Sequence, residues 1–213
     1  MFTSTLPVRL LMLAACALSV ARAAPCDNPL KPVRSGWVWN YRVTPTGKAP
    51  TGYRVSRQAQ GGGYLDTVLT PEQPQQAQTY RCDGGAHIIV SPPTMKGLEF
   101  TKASFSGVSI PAAPSWKAGY AWDSGWTLEG RQGLLSGKGT FGSSARIVGR
   151  EQVSVPAGSF EAWRVEIRSR VDAQMGPIPF HQSFAQTQWF VEGVGLVRAQ
   201  DGRGLTELLS LQK

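Results

Sequence analysis

The segment Glu161–Asp172, EAWRVEIRSRVD, constrains this chain more than any other. Trp163, Val165, Ile167, Ser169 and Val171 fall at every second position, with Glu166, Arg168 and Arg170 between them. An extended strand with one buried face segregates residues at that period, whereas a helix would scatter the charges around its axis. The same alternation recurs in GWVWNYRV, where Trp37, Trp39, Tyr41 and Val43 oppose Val38, Asn40 and Arg42. Shorter candidates run from GYRVSRQ to LTELLSLQ and are punctuated by GGG, SPP, PAAP and MGPIP, in which Gly supplies turn dihedrals and Pro removes ladder donors. The pattern predicts a mostly β fold of antiparallel strands, a sandwich, barrel or half-barrel. Little helix is expected beyond the first residues; the one short candidate, Thr70–Gln78, carries an internal proline.

Arg9 precedes the apolar run LLMLAACALSV and then ARAAP, which offers an Ala-x-Ala cut after Ala23. That is the layout of a secretory signal peptide, so residues 1–23 are expected to be removed and 24–213 to form a single exported β-rich domain. The run Leu10–Val20 is too short to cross a bilayer as a helix, which needs about 20 residues, and no later segment is long and apolar enough. The mature chain is therefore expected in a periplasmic or extracellular compartment. A second cut competes: LAAC at Leu13–Cys16 matches the lipobox at which lipoproteins are acylated, which would anchor the chain through Cys16. Six residues between Arg9 and Cys16 make a thin apolar segment for that route.

Either cut leaves Cys26 and Cys82, and two cysteines in an exported chain are most simply a disulfide. Cys26, Cys82, His87 and His181 are too scattered for the clustered spacing of a metal site, so no metal is expected. With Arg9 and Arg22 removed, twenty basic residues face fourteen acidic ones, a net of +6. They are dispersed from Lys31 to Lys213 among acids, unlike the basic stripe of a nucleic-acid binder. The balance suits a soluble surface with some attraction to anionic neighbours such as envelope lipid.

In VPAGSF, Pro156 presets φ and Gly158 accepts positive φ, which reads as a tight turn leading through Phe160 into the long strand. In WFVEGVGLVRAQ a strand ends, EGVG turns on Gly193 and Gly195, and LVRAQ returns as a hairpin. Trp163 and Trp189 are then expected as buried neighbours across the sheet.

These segments, with PLKPVRSGWVWNYRV, resemble a loose set of bacterial secreted proteins and lipoproteins of unknown function. The matching residues are Pro29, Leu30, Gly36, Trp39 and Tyr41, then Val155–Phe160, then Trp189, Phe190 and Gly193–Val197, with Gly61–Leu128 largely unmatched. The resemblance implies a strongly curved antiparallel sheet, half-barrel or barrel-like, similar to that of the Lol-type lipoprotein carriers, which hold acyl chains in an apolar concavity. It brings no catalytic residues with it.

Tests for chemistry return little. His181 lies two residues from Ser183, but no G-x-S-x-G elbow is present. GLLSGKG is one residue short of a phosphate-binding loop and has Gly139 in the Ser/Thr place, so no cofactor is implied. Asp123, Glu129, Glu161 and Glu192 are carboxylates that nothing pairs. Trp116, Trp122 and Trp126 cluster in SWKAGYAWDSGW, as core or as a stacking lip around a ligand. The expectation is a non-enzymatic envelope domain binding an apolar or amphiphilic partner. An interaction domain of a surface assembly is the alternative, and a hydrolase a more distant one.

Overall fold

The computed structural model describes residues 26–71, 73–92, 94–95 and 97–213; the expected signal peptide and Cys16 lie outside them. The strands are β1 (Val38–Pro45), β2 (Thr51–Gln60), β3 (Gly63–Thr70), β4 (Gln73–Asp83), β5 (Ala86–Ile89) and β6 (Glu99–Gly107), followed by β7 (Ala121–Gln132), β8 (Leu135–Val155), β9 (Gly158–Met175), β10 (Ile178–Val191), β11 (Gly195–Asp201) and β12 (Gly204–Gln212). They form one antiparallel sheet in the order β5-β4-β3-β2-β1-β12-β11-β10-β9-β8-β7-β6. Two meanders are thus joined where the first strand pairs with the last. The outermost strands curl back until His87 of β5 bridges Ile110, just beyond β6: the His87 amide donates to the Ile110 carbonyl at 2.9 Å and the Ser109 amide to the His87 carbonyl at 2.8 Å. The sheet is nearly closed into a barrel.

Closure is confined to one end. There, the segment Cys26–Val33 and the Pro-rich connection Ser109–Tyr120 fill the concave side. Leu30 packs with Ile110, Trp116, Ala145, Ile147, Val165 and Phe190. Asn28 is 1% exposed and donates from Nδ2 to the carbonyls of Gly85 and Pro111, both at 2.9 Å, while its Oδ1 accepts from the Leu30 amide at 3.0 Å. The Cys26–Cys82 disulfide holds the start of this plug against β4. SIPAAPSWKAG is thus a connection over the packed end.

The hairpin of β10 and β11 closes the plug from the other side. Gly193 donates its amide to the Pro29 carbonyl at 2.8 Å, and a Cβ at Gly195 (φ +98) would stand 3.4 Å from Pro32 Cδ. Beyond this short hairpin β8 and β9 continue alone; their tip donates the Ala157 amide to the Leu208 carbonyl at 3.1 Å. Val153, Val155 and Ala162 thereby join Trp39, Tyr41, Val197 and Leu208 in a second buried cluster. The Pro156–Gly158 turn, with Gly158 at φ +138, makes that tip.

Two expectations change. Trp163 pairs with Phe190 and Trp189 with Arg164, so the tryptophans occupy neighbouring strands but opposite faces. Thr70–Gln78 is not helical: β4 begins at Gln73, and its Pro74 sits where the β3–β4 register shifts, a place where a strand tolerates proline. Among the described residues the one helical element is the 3₁₀ turn Ala113–Ser115.

Candidate functional site

The long arms β7 to β10 carry the concave face past the plug. Directly paired residues of antiparallel strands share a face, so the registers can be read across the arms. They align Trp126 with Phe141 and Val171, Leu128 with Gly139 and Ala173, and Gly130 with Gly137 and Met175. Phe100 of the edge strand opposes Gly130, and Phe180 of β10 opposes Ala173. Met95 and Leu98 flank the row from the connection into β6, and the open groove measures about 370 Å³. Its floor is kept low by glycine: a Cβ at Gly139 would stand 2.9 Å from Ala173 Cβ, and one at Gly137 2.8 Å from the Gln174 carbonyl. Groove volumes of about 300–1,000 Å³ with apolar walls are typical of small-molecule sites.

Inward, the groove ends on serines. Ser124, Ser143 and Ser169 share the concave face, and the hydroxyls of Ser143 and Ser169 are hydrogen-bonded at 2.7 Å. Beyond them Ala145, Ile147 and Ile167 begin the packed end. The concave side is therefore solid at one end and open and apolar at the other.

The tryptophans divide between the two regions. Trp116 donates its indole N–H to the Pro111 carbonyl at 3.0 Å and packs 5.3 Å from Phe190 and 6.3 Å from Trp122, over the plug. Trp126 stands apart, 5.1 Å from Phe105 and beside the groove residue Phe141. The Phe and Met groove was not singled out by sequence; the alternation of Phe141, Val171, Ala173 and Met175 in β8 and β9 was its signal. The other motif residues are structural in placement: Trp39 donates to the Val194 carbonyl at 2.7 Å and Tyr41 to the Leu196 carbonyl at 2.8 Å.

A charged cluster is buried at the packed end. Asp66 lies 3.1 Å from Lys31 Nζ and 3.0 Å from Arg57 Nε, and Arg57 also donates to the Pro32 carbonyl at 3.0 Å. The guanidinium covers Trp39 at 4.2 Å and the Lys31 ammonium covers Tyr80 at 3.8 Å. Burial opposes charge on Lys31, but Asp66 and the tyrosines Tyr80 and Tyr64 outweigh it and hold the ammonium above its ordinary pKa. Burial likewise pushes the Asp66 carboxyl up, and Lys31 and Arg57 more than reverse this, so it stays ionised below the usual carboxylate range. His87, 0% exposed, shares a 3.0 Å hydrogen bond with the Tyr64 hydroxyl. Burial, with Lys31 and Arg57 nearby, lowers its pKa to about 3, so the imidazole is neutral. Every charge in this set ties the plug to the sheet, and none lies on the groove.

His181 is exposed and pairs through Nδ1 with Asp172 Oδ1 at 2.7 Å. Hydrogen bonds from Arg170 first and His181 second lower the Asp172 carboxyl to about 2. Among the described residues no hydroxyl is hydrogen-bonded to His181, so the Ser183 spacing does not assemble a nucleophile and base. Also among the described residues, no three His, Cys, Asp or Glu side chains form a metal-ligating group.

A family model described as DUF3108-like matches residues 143–211, from the middle of β8 to the end of β12. That stretch contains VPAGSF and WFVEGVGLV. No curated protein matches the chain. Two solved structures share the fold. One, a candidate exported protein with a YmcC-like fold from Bacteroides fragilis, is 14% identical with a TM-score of 0.55, over 87% of this chain and 100% of its own. The other, a candidate lipoprotein from Parabacteroides distasonis, is 13% identical with a TM-score of 0.59, over 87% and 99%. At such identities the likeness is one of fold.

Proposed function

We propose that this protein is a non-catalytic, exported domain of the cell envelope that holds an apolar or amphiphilic ligand in the groove of the open end. The observation that carries the reading is the groove itself: Phe100, Leu128, Phe141, Val171 and Met175 leave about 370 Å³ unfilled in a sheet whose other end is packed solid. The ligand contacts in this reading are the groove residues, with Trp126 beside Phe141 at the inner end, while Trp116 and Trp122 pack in the closed end. The Ala-x-Ala cut after Ala23, the disulfide and the exported and lipoprotein character ascribed to the two fold relatives support export.

The test is a titration with a fluorescent fatty-acid probe. Saturable binding is expected, weakened at least tenfold by Ala173→Trp, which fills the groove from its floor, and unaffected by Trp37→Phe at the other end. A flat titration of correctly folded, delipidated protein removes the ligand reading. The second reading, an interaction domain of a surface assembly, rests on β6, whose outer edge is unpaired along Glu99–Gly107 and which is largely exposed. It predicts a specific crosslinked partner recovered through residues placed on β6.

A further inference from the structure

Exposed apolar side chains gather at the open end. Leu134 is 103% exposed at the β7–β8 tip with Leu135 at 47% beside it, and Ile178 (63%) and Phe180 (51%) follow the β9–β10 tip. The two tips are adjacent, because Gly176 donates its amide to the Ser136 carbonyl at 2.9 Å. Met95, 53% exposed, completes the rim from the connection into β6. Elsewhere the exposed large apolar side chains are single and less exposed, Leu69, Val90, Val148 and Leu209 at 38–46%.

The charges around the rim are unequal. Glu99 is held by Arg131 at 2.9 Å and Glu129 by Lys102 at 3.3 Å, while Lys138, opposite Glu129 in the β7–β8 register, is in ion-pair contact with no carboxylate among the described residues. We infer that this rim docks on an anionic lipid surface, with Leu134, Leu135 and Ile178 entering the acyl boundary and Lys138 meeting the headgroups. A protein partner would call for one contiguous apolar patch of matching shape. Two adjacent hairpin ends that project Leu134 into solvent and leave Ile178 mostly exposed fit a fluid apolar layer that needs no complementary shape, and flanking cations add attraction to anionic lipid. Cys26, the first described residue, lies at the opposite, packed end. The inference stands whether or not the groove is filled.

The experiment is co-sedimentation of the protein with sucrose-loaded vesicles of phosphatidylcholine alone or mixed with phosphatidylglycerol, all variants sharing one N-terminus. Binding to the mixed vesicles is expected, reduced about tenfold or more by Leu134→Ser with Ile178→Ser. Lys138→Gln is expected to weaken binding to the anionic vesicles only. Both tips are solvent-exposed, and an unchanged melting temperature verifies the fold. In parallel, Leu134→Trp should be quenched by brominated acyl chains and Val148→Trp, exposed on the arm away from the rim, should not. Absence of vesicle binding, an equal loss with Val148→Ser and Leu209→Ser, or quenching at both tryptophans overturns the inference. Because the fatty-acid titration is run without vesicles, a failure of the ligand reading is registered separately.

Discussion

Asp66 stands 3.1 Å from Lys31, and that one contact joins the segment filling the barrel to the inner face of β3. Its consequence is lopsided. The carboxylate serves two cations, since Arg57 approaches it at 3.0 Å. Replacing it by Ala strands both in a buried setting, whereas Lys31→Met leaves Asp66 still paired with Arg57. Removing one member of a buried pair costs about 3–5 kcal/mol when a charge is left uncompensated. Urea unfolding should therefore show a loss of that order for Asp66→Ala and a clearly smaller one for Lys31→Met. Equal losses would mean that the plug, rather than the ion cluster, is what both substitutions disturb.

Acid should loosen the packed end through His87. Its pKa falls from 6.5 to about 3 on folding, so between those values the unfolded chain binds a proton that the native imidazole refuses. Stability is thus fully present above pH 6.5 and declines as the pH drops toward 3, with a limiting slope of about 1.4 kcal/mol per pH unit. Asp66, whose carboxyl is depressed in the fold, adds its loss as the pH falls below its ordinary 3.8. Denaturant midpoints measured from pH 7 to pH 4 should follow this decline in the wild type and lose most of it in His87→Gln. Parallel profiles for the two proteins would place the acid sensitivity elsewhere.

The disulfide fastens the same segment. Bridging two cysteines 56 positions apart stabilises by about 4 kcal/mol in the chain-entropy view. Reduction should lower the melting temperature and raise hydrogen exchange first at Asn28 and Leu30, whose amide and side-chain bonds depend on the plug staying seated. Uniform exchange across β7 to β10 at the same denaturant concentration would contradict a locally fastened plug.

How much of this was legible before folding depends on range. Within β9 the inward set Trp163, Val165, Ile167, Ser169 and Val171 is written in the alternation, because strand period is a local property. The mutual placement of Trp163 and Trp189 is not, since it hangs on where the β9–β10 turn falls. Gly176–Pro177 makes a two-residue turn that pairs Met175 with Ile178, and counting back sets Trp163 against Phe190. One residue of slip exchanges every face. The cluster of Lys31, Arg57 and Asp66 was equally hidden: each interrupts an apolar series as an ordinary surface charge would, and its partners lie on other segments. The groove escaped notice because it exists only where the plug stops short, a relation between Leu30 and residues more than a hundred positions away.

Glycine substitutions separate close backbone approach from mere turn chemistry. A Cβ at Gly63 would stand 2.0 Å from the Tyr80 carbonyl oxygen, which is backbone and cannot swing aside, whereas nothing lies within 4 Å of one at Gly142. Gly63→Ala must therefore part β3 from β4, next to the stacked rings of Tyr64 and Tyr80 and the disulfide strand. Overpacking of this kind costs about 1–3 kcal/mol. Gly142→Ala restricts the unfolded chain without a clash and should be neutral or stabilising by about 0.5–1 kcal/mol. Thermal unfolding of the two variants side by side checks the pair, and a stable Gly63→Ala protein with native near-ultraviolet signal from the Tyr64 and Tyr80 stack would show that the two strands are not so closely apposed.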